Sequence, residues 1–178
     1  IPFEEVTPEQ RSHAKAVNFG IIYGISDFGL ARQLGIPRKQ AASYIEAYFK
    51  RYPSIHDFMH SMVEKAKETG RAVPLFGRYR ELPDINSKNF NRRSFAERTA
   101  MNTPIQGTAA DIMKMAMIEV YRKMKAGGYK SRVLLQVHDE LVAEVVKEEK
   151  EEIAALLKET MESVVKLKVP LVADVNEG

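Results

Sequence analysis

Arg11, Lys15, Phe19 and Tyr23 recur four residues apart. On a helix they trace one slowly drifting stripe, two cations followed by two aromatic rings. That order suits a phosphorylated ligand with a ring at its far end. Lysine serves as a movable point charge, arginine as a fork for phosphate oxygens, and the rings as stacking surfaces. A nucleoside triphosphate has that order of parts. The competing reading leaves Arg11 and Lys15 in solvent and packs Phe19 and Tyr23 against a neighbouring helix. Gly20 and Gly24 tilt the balance towards close approach of another surface, because glycine costs roughly 1 kcal/mol in a helix interior and leaves the backbone accessible.

A second chemistry-bearing group is Asp139-Glu140, between two apolar runs. A β-turn there holds carboxylates at the rim of a sheet, on rigid strands. Hard cations such as Mg²⁺ take carboxylate oxygens, and a pair of such ions activates a hydroxyl nucleophile and stabilises a leaving pyrophosphate. A plain polar turn is the alternative. Neighbours along a strand point to opposite faces, which argues against both carboxylates binding one ion directly. Asp111 and Asp174 are the possible second donors within this chain. Between these groups lie Arg92, Arg93, Arg98, Asn102 and Gln106, of which the last three share a helix face. Guanidinium and amide groups bond phosphate, sugar and minor-groove acceptors without requiring one base sequence. A capped helix with a solvated polar face explains the same residues.

The elements that must position these groups are read from caps and breakers. Thr7-Pro8-Glu9-Gln10 combines a hydroxyl cap, proline at the first helical position and glutamine three residues after the cap, so a helix starts there and runs to about Ile22, with Gly24 as terminator. A short segment, Phe28 to Leu34, closes at Gly35-Ile36-Pro37. Helices follow from about Arg38 to Lys50 and from Ser54 to Thr69, the latter read as solvated around Lys67. Residues 71–86 form a loop or small hairpin, and a domain boundary falls near Ser87. A helical pattern from Asn89 to Met101 breaks at Thr103-Pro104 and resumes from Ile105 to Lys125, with Ile112, Met115, Ala116 and Ile118 as its apolar repeat. Ser131–Val137 and Leu141–Val146 read as an antiparallel hairpin with His138-Asp139-Glu140 at its tip. An acidic helix over Lys147–Val165 and a last strand, Leu171–Val175, complete the chain. In the first helix, Ala14, Val17 and Ile21 form the stripe facing the core.

Composition narrows the classes. The 178 residues are 44% hydrophobic, 8% aromatic and 29% charged, enough for one or two cores and unlike a disordered tail. The absence of cysteine removes thiolate chemistry, disulfides and cysteine-ligated metal centres. No apolar run reaches the ~18 residues of a membrane helix. Ile1-Pro2-Phe3-Glu4-Glu5 has neither a start methionine nor a leader, and the sequence reads as a piece of something longer. Net charge is +3, with 16 Lys+Arg against 11 Asp+Glu over residues 1–98 and 11 against 13 over 99–178. The basic half is the better candidate for an anionic partner.

The string Arg11-Ser12-His13-Ala14-Lys15-Ala16-Val17-Asn18-Phe19-Gly20-Ile21-Ile22-Tyr23-Gly24 resembles the fingers-helix motif of family A DNA polymerases, the bacterial DNA polymerase I type. Leu135-Gln136-Val137-His138-Asp139-Glu140-Leu141 is similar to that family's palm motif with its metal-binding aspartate. Phe95-Ala96-Glu97-Arg98-Thr99-Ala100-Met101-Asn102-Thr103-Pro104-Ile105-Gln106-Gly107 is similar to the segment between them, in the same order. The resemblance implies an α+β, mostly helical fold, with fingers helices over 1–88 and part of a palm with a small antiparallel sheet over 89–178. It implies that Arg11 and Lys15 grip the incoming triphosphate, that Phe19 packs on its sugar and base, and that Tyr23 stacks near the templating position. Asp139 would bind Mg²⁺, two ions being expected in the complete enzyme. Glu140 would assist it, and Asp139, Glu140 and Lys15 are thereby assigned to catalysis. Arg98, Asn102, Gln106 and His138 would contact primer–template DNA. Phenylalanine at 19 implies discrimination against dideoxynucleotides, and the family implies a bacterial cytoplasmic, nucleoid-associated setting.

Two departures qualify that pattern. Ser12 stands where the fingers motif usually has a second arginine. The family's other metal-binding aspartate belongs to a strand before Ile1, so Asp139 is half of a metal site, and the chain alone is expected to be inactive. The alternatives are a non-catalytic nucleic-acid-binding module on the same scaffold and a fragment of a single-subunit RNA polymerase. Phe19-Gly20, and Glu140 after Asp139, fit the DNA enzymes better.

Overall fold

Thr7 starts the first helix as its sequence demands. Its hydroxyl accepts from the Gln10 amide at 3.2 Å, while the Gln10 side chain accepts from the Thr7 amide at 2.9 Å. This reciprocal cap satisfies two amides that the helix leaves without partners. The structure, a computed structural model, describes residues 1–178 apart from the side chain of Phe3. It is α+β and mostly helical, with two small antiparallel sheets. Two compact units divide it, Ile1–Ile105 and Gln106–Gly178.

In the first unit, α1 (Pro8–Ile22) ends at Gly24, whose φ of 72° turns the chain away. Ser26 caps α2 (Asp27–Leu34) through the Gly29 amide at 3.1 Å. α3 (Arg38–Arg51) follows Pro37, and α4 (Pro53–Thr69) begins with proline at its first position. The Arg38 guanidinium donates to the Asp27 carboxylate at 2.7 Å, tying the start of α3 to that of α2. Val17, Ile25, Leu34, Ile36 and Ile45 pack on a buried centre of Leu30, Ala31 and Ala41. Burying a leucine such as Leu30 contributes roughly 1.5–3 kcal/mol. Of the expected α1 core stripe, Ile21 is buried and Val17 joins this cluster, but Ala14 is exposed. A second cluster joins Ala66 of α4, Ala72 of β1 (Arg71–Ala72), Leu82, Ile85, Ala96 and Ala100. β1 pairs with β2 (Arg80–Glu81), the small hairpin expected over 71–86.

The expected break at Thr103-Pro104 is absent, because α5 (Phe90–Gly127) runs through Pro104. Proline removes one amide from the ladder, and packing of Ala96 and Ala100 anchors the preceding turns strongly enough for the helix to continue. That packing also puts residues 89–105 in the first compact unit, whose end lies inside α5. The apolar repeat of α5 is shifted as well. Met113, Ala116, Val120 and Met124 are buried, whereas Ile118 is 51% exposed.

The second unit packs the end of α5 and α6 (Lys150–Ser163) with a hairpin of β3 (Arg132–Val137) and β4 (Glu140–Glu144). Val120, Met124 and Ile153 form its centre, with Tyr129, Val133, Leu141, Leu156 and Leu157 against them. A register shift between Val133 and Leu135 interrupts the plain alternation of β3. α6 is preceded by a single 3₁₀ turn, Lys147–Glu149, and ends at Ser163, short of the expected Val165. The expected strand Leu171–Val175 does not form. Its residues have no strand to pair with among the described residues, and the Ala173 amide donates instead to the Glu162 carboxylate at 3.0 Å.

A polar staple closes the root of the hairpin. The Glu149 carboxylate accepts from the Lys130 amide at 3.0 Å, the Ser131 amide at 2.9 Å and the Ser131 hydroxyl at 2.6 Å, and the Ser131 hydroxyl accepts from the Val146 amide at 2.9 Å. These bonds, led by the Lys130 amide, hold the Glu149 carboxyl below its ordinary 4.5. A carboxyl whose folded pKa is depressed takes its proton more readily in the unfolded chain. Its stabilisation is therefore complete above 4.5 and is lost as pH falls from there through the lowered folded value. Glu149→Gln is expected to flatten this part of the acid dependence, measured as thermal midpoint against pH from about 6 to 3.

Candidate nucleotide and nucleic-acid site

In the first unit, α1 presents Arg11, Lys15, Phe19 and Tyr23 together on its exposed side, with Phe19 47% and Tyr23 37% exposed. The rings of Phe19 and Tyr23 stack with centroids 6.3 Å apart and planes 20° from parallel, and the Lys15 ammonium lies 5.9 Å from the centre of the Phe19 ring. The order cation, ring, ring is thus realised in space. Its opposite side supplies Val17 and Ile21 to packing, so the stripe is left free of the core.

The helix is anchored near the middle of this stripe and at its Tyr23 end. Asn18, between the chemistry-bearing positions, accepts from the Tyr48 hydroxyl of α3 at 2.8 Å. At the Tyr23 end, a Cβ built on Gly24 would lie 2.5 Å from Met101 Cε and 3.2 Å from Arg98 Cγ. The positive φ of Gly24 favours glycine there, while the approach of α1 to α5 would cost a Cβ mainly a shift of the Met101 methyl. The contact brings the Tyr23 end of the stripe beside Arg98. The guanidinium of Arg98 donates to the Ser94 hydroxyl at 3.1 Å, and its side chain stays exposed.

Asn102 sits one turn further along α5, half-buried, and its amide oxygen is buried with no hydrogen-bond partner among the described residues. Gln106 follows on the next turn and is exposed. Arg93 has a structural duty, donating to the Ser87 carbonyl at 2.9 Å and lying over the Phe90 ring at 5.8 Å. Arg92 is exposed.

In the second unit, the β3–β4 turn consists of His138 and Asp139, because Glu140 already pairs with Val137 as the first residue of β4. The tip is therefore one residue shorter than the sequence reading. All three side chains are exposed. Asp139 and Glu140 offer hard carboxylate oxygens, the donor type that suits Mg²⁺. Among the described residues no group of three or more His, Asp or Glu forms a metal cluster. Asp111, half-buried on α5, and Asp174, exposed in the extended C-terminal segment, therefore do not complete one with Asp139 and Glu140. The residues present fit one side of an ion.

Sequence reasoning missed two polar contacts near these groups, Tyr48 to Asn18 and a bond from Gln136 Nε2 to the His138 carbonyl at 2.5 Å. The second depends on the turn conformation at His138, which the residue types do not indicate. The first had no signal in the sequence, because it joins helices 30 residues apart.

Comparison with known proteins gives a consistent picture. The model for DNA polymerase family A matches residues 1–178. DNA polymerase I of Streptococcus pneumoniae is 57% identical over 175 residues, covering 98% of this chain and 20% of the relative. DNA polymerase I of Caldicellulosiruptor bescii is 54% identical over 178 residues, covering 100% of this chain and 21% of the relative. Among solved structures, the POL domain of Pol1 from M. smegmatis, in complex with DNA primer-template and dNTP, superposes with a TM-score of 0.92 at 45% identity. The match covers 96% of this chain and 30% of that one. The chain thus spans about a fifth of the length of the curated relatives it matches.

Proposed function

The chain belongs to DNA polymerase family A, and from that premise we propose that it forms the fingers and part of the palm of a DNA-directed DNA polymerase. In this reading residues 1–88 are fingers and 89–178 partial palm. Deoxynucleoside triphosphates and primer–template DNA are the partners, together with the remainder of such an enzyme. The setting is the bacterial cytoplasm, in association with the nucleoid; among the described residues no helix is long and apolar enough to cross a membrane. The observation that carries the proposal is the exposed Arg11, Lys15, Phe19, Tyr23 stripe, cations then rings, on a chain matched along its whole length by the family.

The chemistry follows from the residues. Arg11 and Lys15 neutralise the triphosphate, Phe19 lies against sugar and base, and Tyr23 stacks near the templating base. The primer 3′-hydroxyl attacks the α-phosphorus, a new P–O bond forms, and the bond to the leaving pyrophosphate breaks. Catalysis of this kind is positioning plus electrostatic stabilisation of the charge that develops on phosphoryl oxygens. Asp139 would hold Mg²⁺ with Glu140 assisting. When bound, the ion supplies Lewis-acid polarisation of those oxygens. Arg98, Asn102, Gln106 and His138 would meet the duplex backbone and minor groove, reading shape while base pairing reads sequence.

The test grafts these residues in place of the matching segment of a full-length relative and measures extension of a primed template with deoxynucleotides and Mg²⁺. Template-dependent extension is expected. A folded graft that binds primed template and extends nothing would overturn the enzymatic reading and leave a non-catalytic nucleic-acid-binding module.

A further inference from the structure

Among the described residues His138 is the only non-glycine with a left-handed backbone, φ +54°. It opens the two-residue turn between β3 and β4, with Val137 and Glu140 paired just outside it. Tight turns of this hand match the twist of the flanking strands, but the position favours glycine, asparagine or aspartate. The Cβ of histidine works against that φ, and such a conformation persists only where its surroundings hold it. Packing does not hold it here. The hairpin meets the core at Val133 and Leu141, whereas Gln136, Val137, His138, Asp139 and Glu140 are all exposed.

One neighbour supplies the restraint. Gln136 Nε2 donates to the His138 carbonyl oxygen at 2.5 Å. The donor and acceptor residues are separated by Val137 alone, so the side-chain amide spans a single intervening residue to reach the turn. The carbonyl it holds belongs to the peptide joining His138 to Asp139. Because a peptide is planar, fixing that carbonyl fixes the plane from which the Asp139 side chain departs.

We propose that Gln136 is a positioning residue for Asp139, its side-chain amide clamping the His138 carbonyl and thereby holding the left-handed turn that aims the carboxylate. The clamp itself is a property of the hairpin; its consequence for catalysis rests on the polymerase reading. Gln136 contacts neither nucleotide nor ion in this account.

Two measurements separate those levels. In the 178-residue chain, amide exchange by NMR reports on the turn, and the short intraresidue N–H to Hα distance of a left-handed residue reports on φ at 138. Gln136→Leu removes the donor and keeps the bulk. It is expected to speed exchange of the Glu140 amide about tenfold and to weaken the left-handed signature at His138, with exchange at Val120 in the core unchanged. Glycine adopts positive φ without help, so in a His138→Gly background the same replacement is expected to change exchange about twofold or less. Unchanged exchange in Gln136→Leu, or an equal change in both backgrounds, would overturn the clamp.

In the grafted polymerase, Gln136→Leu is expected to lower kcat about tenfold while nucleotide KM stays within about twofold. A raised KM at unchanged kcat would overturn the positioning role. A wild-type graft that extends nothing would sink the polymerase reading, while the exchange data would still decide the clamp.

Discussion

Asp139→Ala is expected to lower primer extension by the grafted polymerase roughly a hundredfold to a thousandfold, the range seen when one group that stabilises developing charge is removed. Asp139 lies at an exposed turn, outside every core cluster, so its removal leaves the packing of β3 and β4 on Val120 and Ile153 intact. The loss should therefore appear in single-turnover rate with the thermal midpoint nearly unchanged. Asp139→Asn makes a stringent companion, because it keeps the size of the side chain and discards the charge that a hard cation needs. It is expected to be impaired to a similar degree. Glu140, the first residue of β4, is expected to matter less than Asp139, since adjacent strand residues point to opposite faces. If Asp139→Ala extends primers as fast as the parent, the metal assignment is wrong and another carboxylate carries the ion.

Lys15→Ala is expected to weaken apparent nucleotide affinity roughly tenfold to a hundredfold, since a hydrogen bond to a charged group contributes about 1.5–3 kcal/mol. The competing explanation for Lys15 is its position 5.9 Å from the Phe19 ring. An exposed cation–π pair contributes only about 0.5–1 kcal/mol, too little to produce a loss of that size. The measurement is nucleotide concentration dependence of single-turnover extension, with a second lysine as reference. Lys67, read from the sequence as solvated, is unsuitable. Its ammonium lies 3.1 Å from Glu64 and 3.3 Å from Glu97, and these carboxylates raise its pKa. Removing it disturbs the contact of α4 with α5. Lys65, exposed on α4, is the cleaner control. Equal losses for Lys15→Ala and Lys65→Ala would count against a triphosphate role for the α1 stripe.

Local signals were legible from the residues alone. The Thr7 and Gln10 cap, the glycines at 24 and 35 and the prolines at 37 and 53 each act within a few residues, so helix ends followed from them. The four-residue spacing of Arg11, Lys15, Phe19 and Tyr23 sufficed to place them on one side of one helix, because helix geometry does not depend on neighbours. Ordered motifs sufficed to indicate the family.

What the tertiary structure decided depends on groups distant in sequence. Pro104 and Thr103 look like a break, yet the preceding turns are held by packing of Ala96 and Ala100 against Ala66 and Leu82, and the helix continues. The apolar repeat of α5 admits more than one face, and only contact with Ile153 selects Val120 and Met124 over Ile118. Leu171–Val175 has the composition of a strand, but a strand exists only when another offers its backbone hydrogen bonds, and among the described residues none does. The Glu149 staple and the Tyr48 bond to Asn18 join residues 18 and 30 positions apart. Residue types and local periodicity thus settle which groups are available and which helix or turn carries them. Which face is buried, where a helix tolerates proline and what holds a carboxylate steady are settled by long-range packing, whose free energy is a property of the assembled chain and not of any short stretch of it.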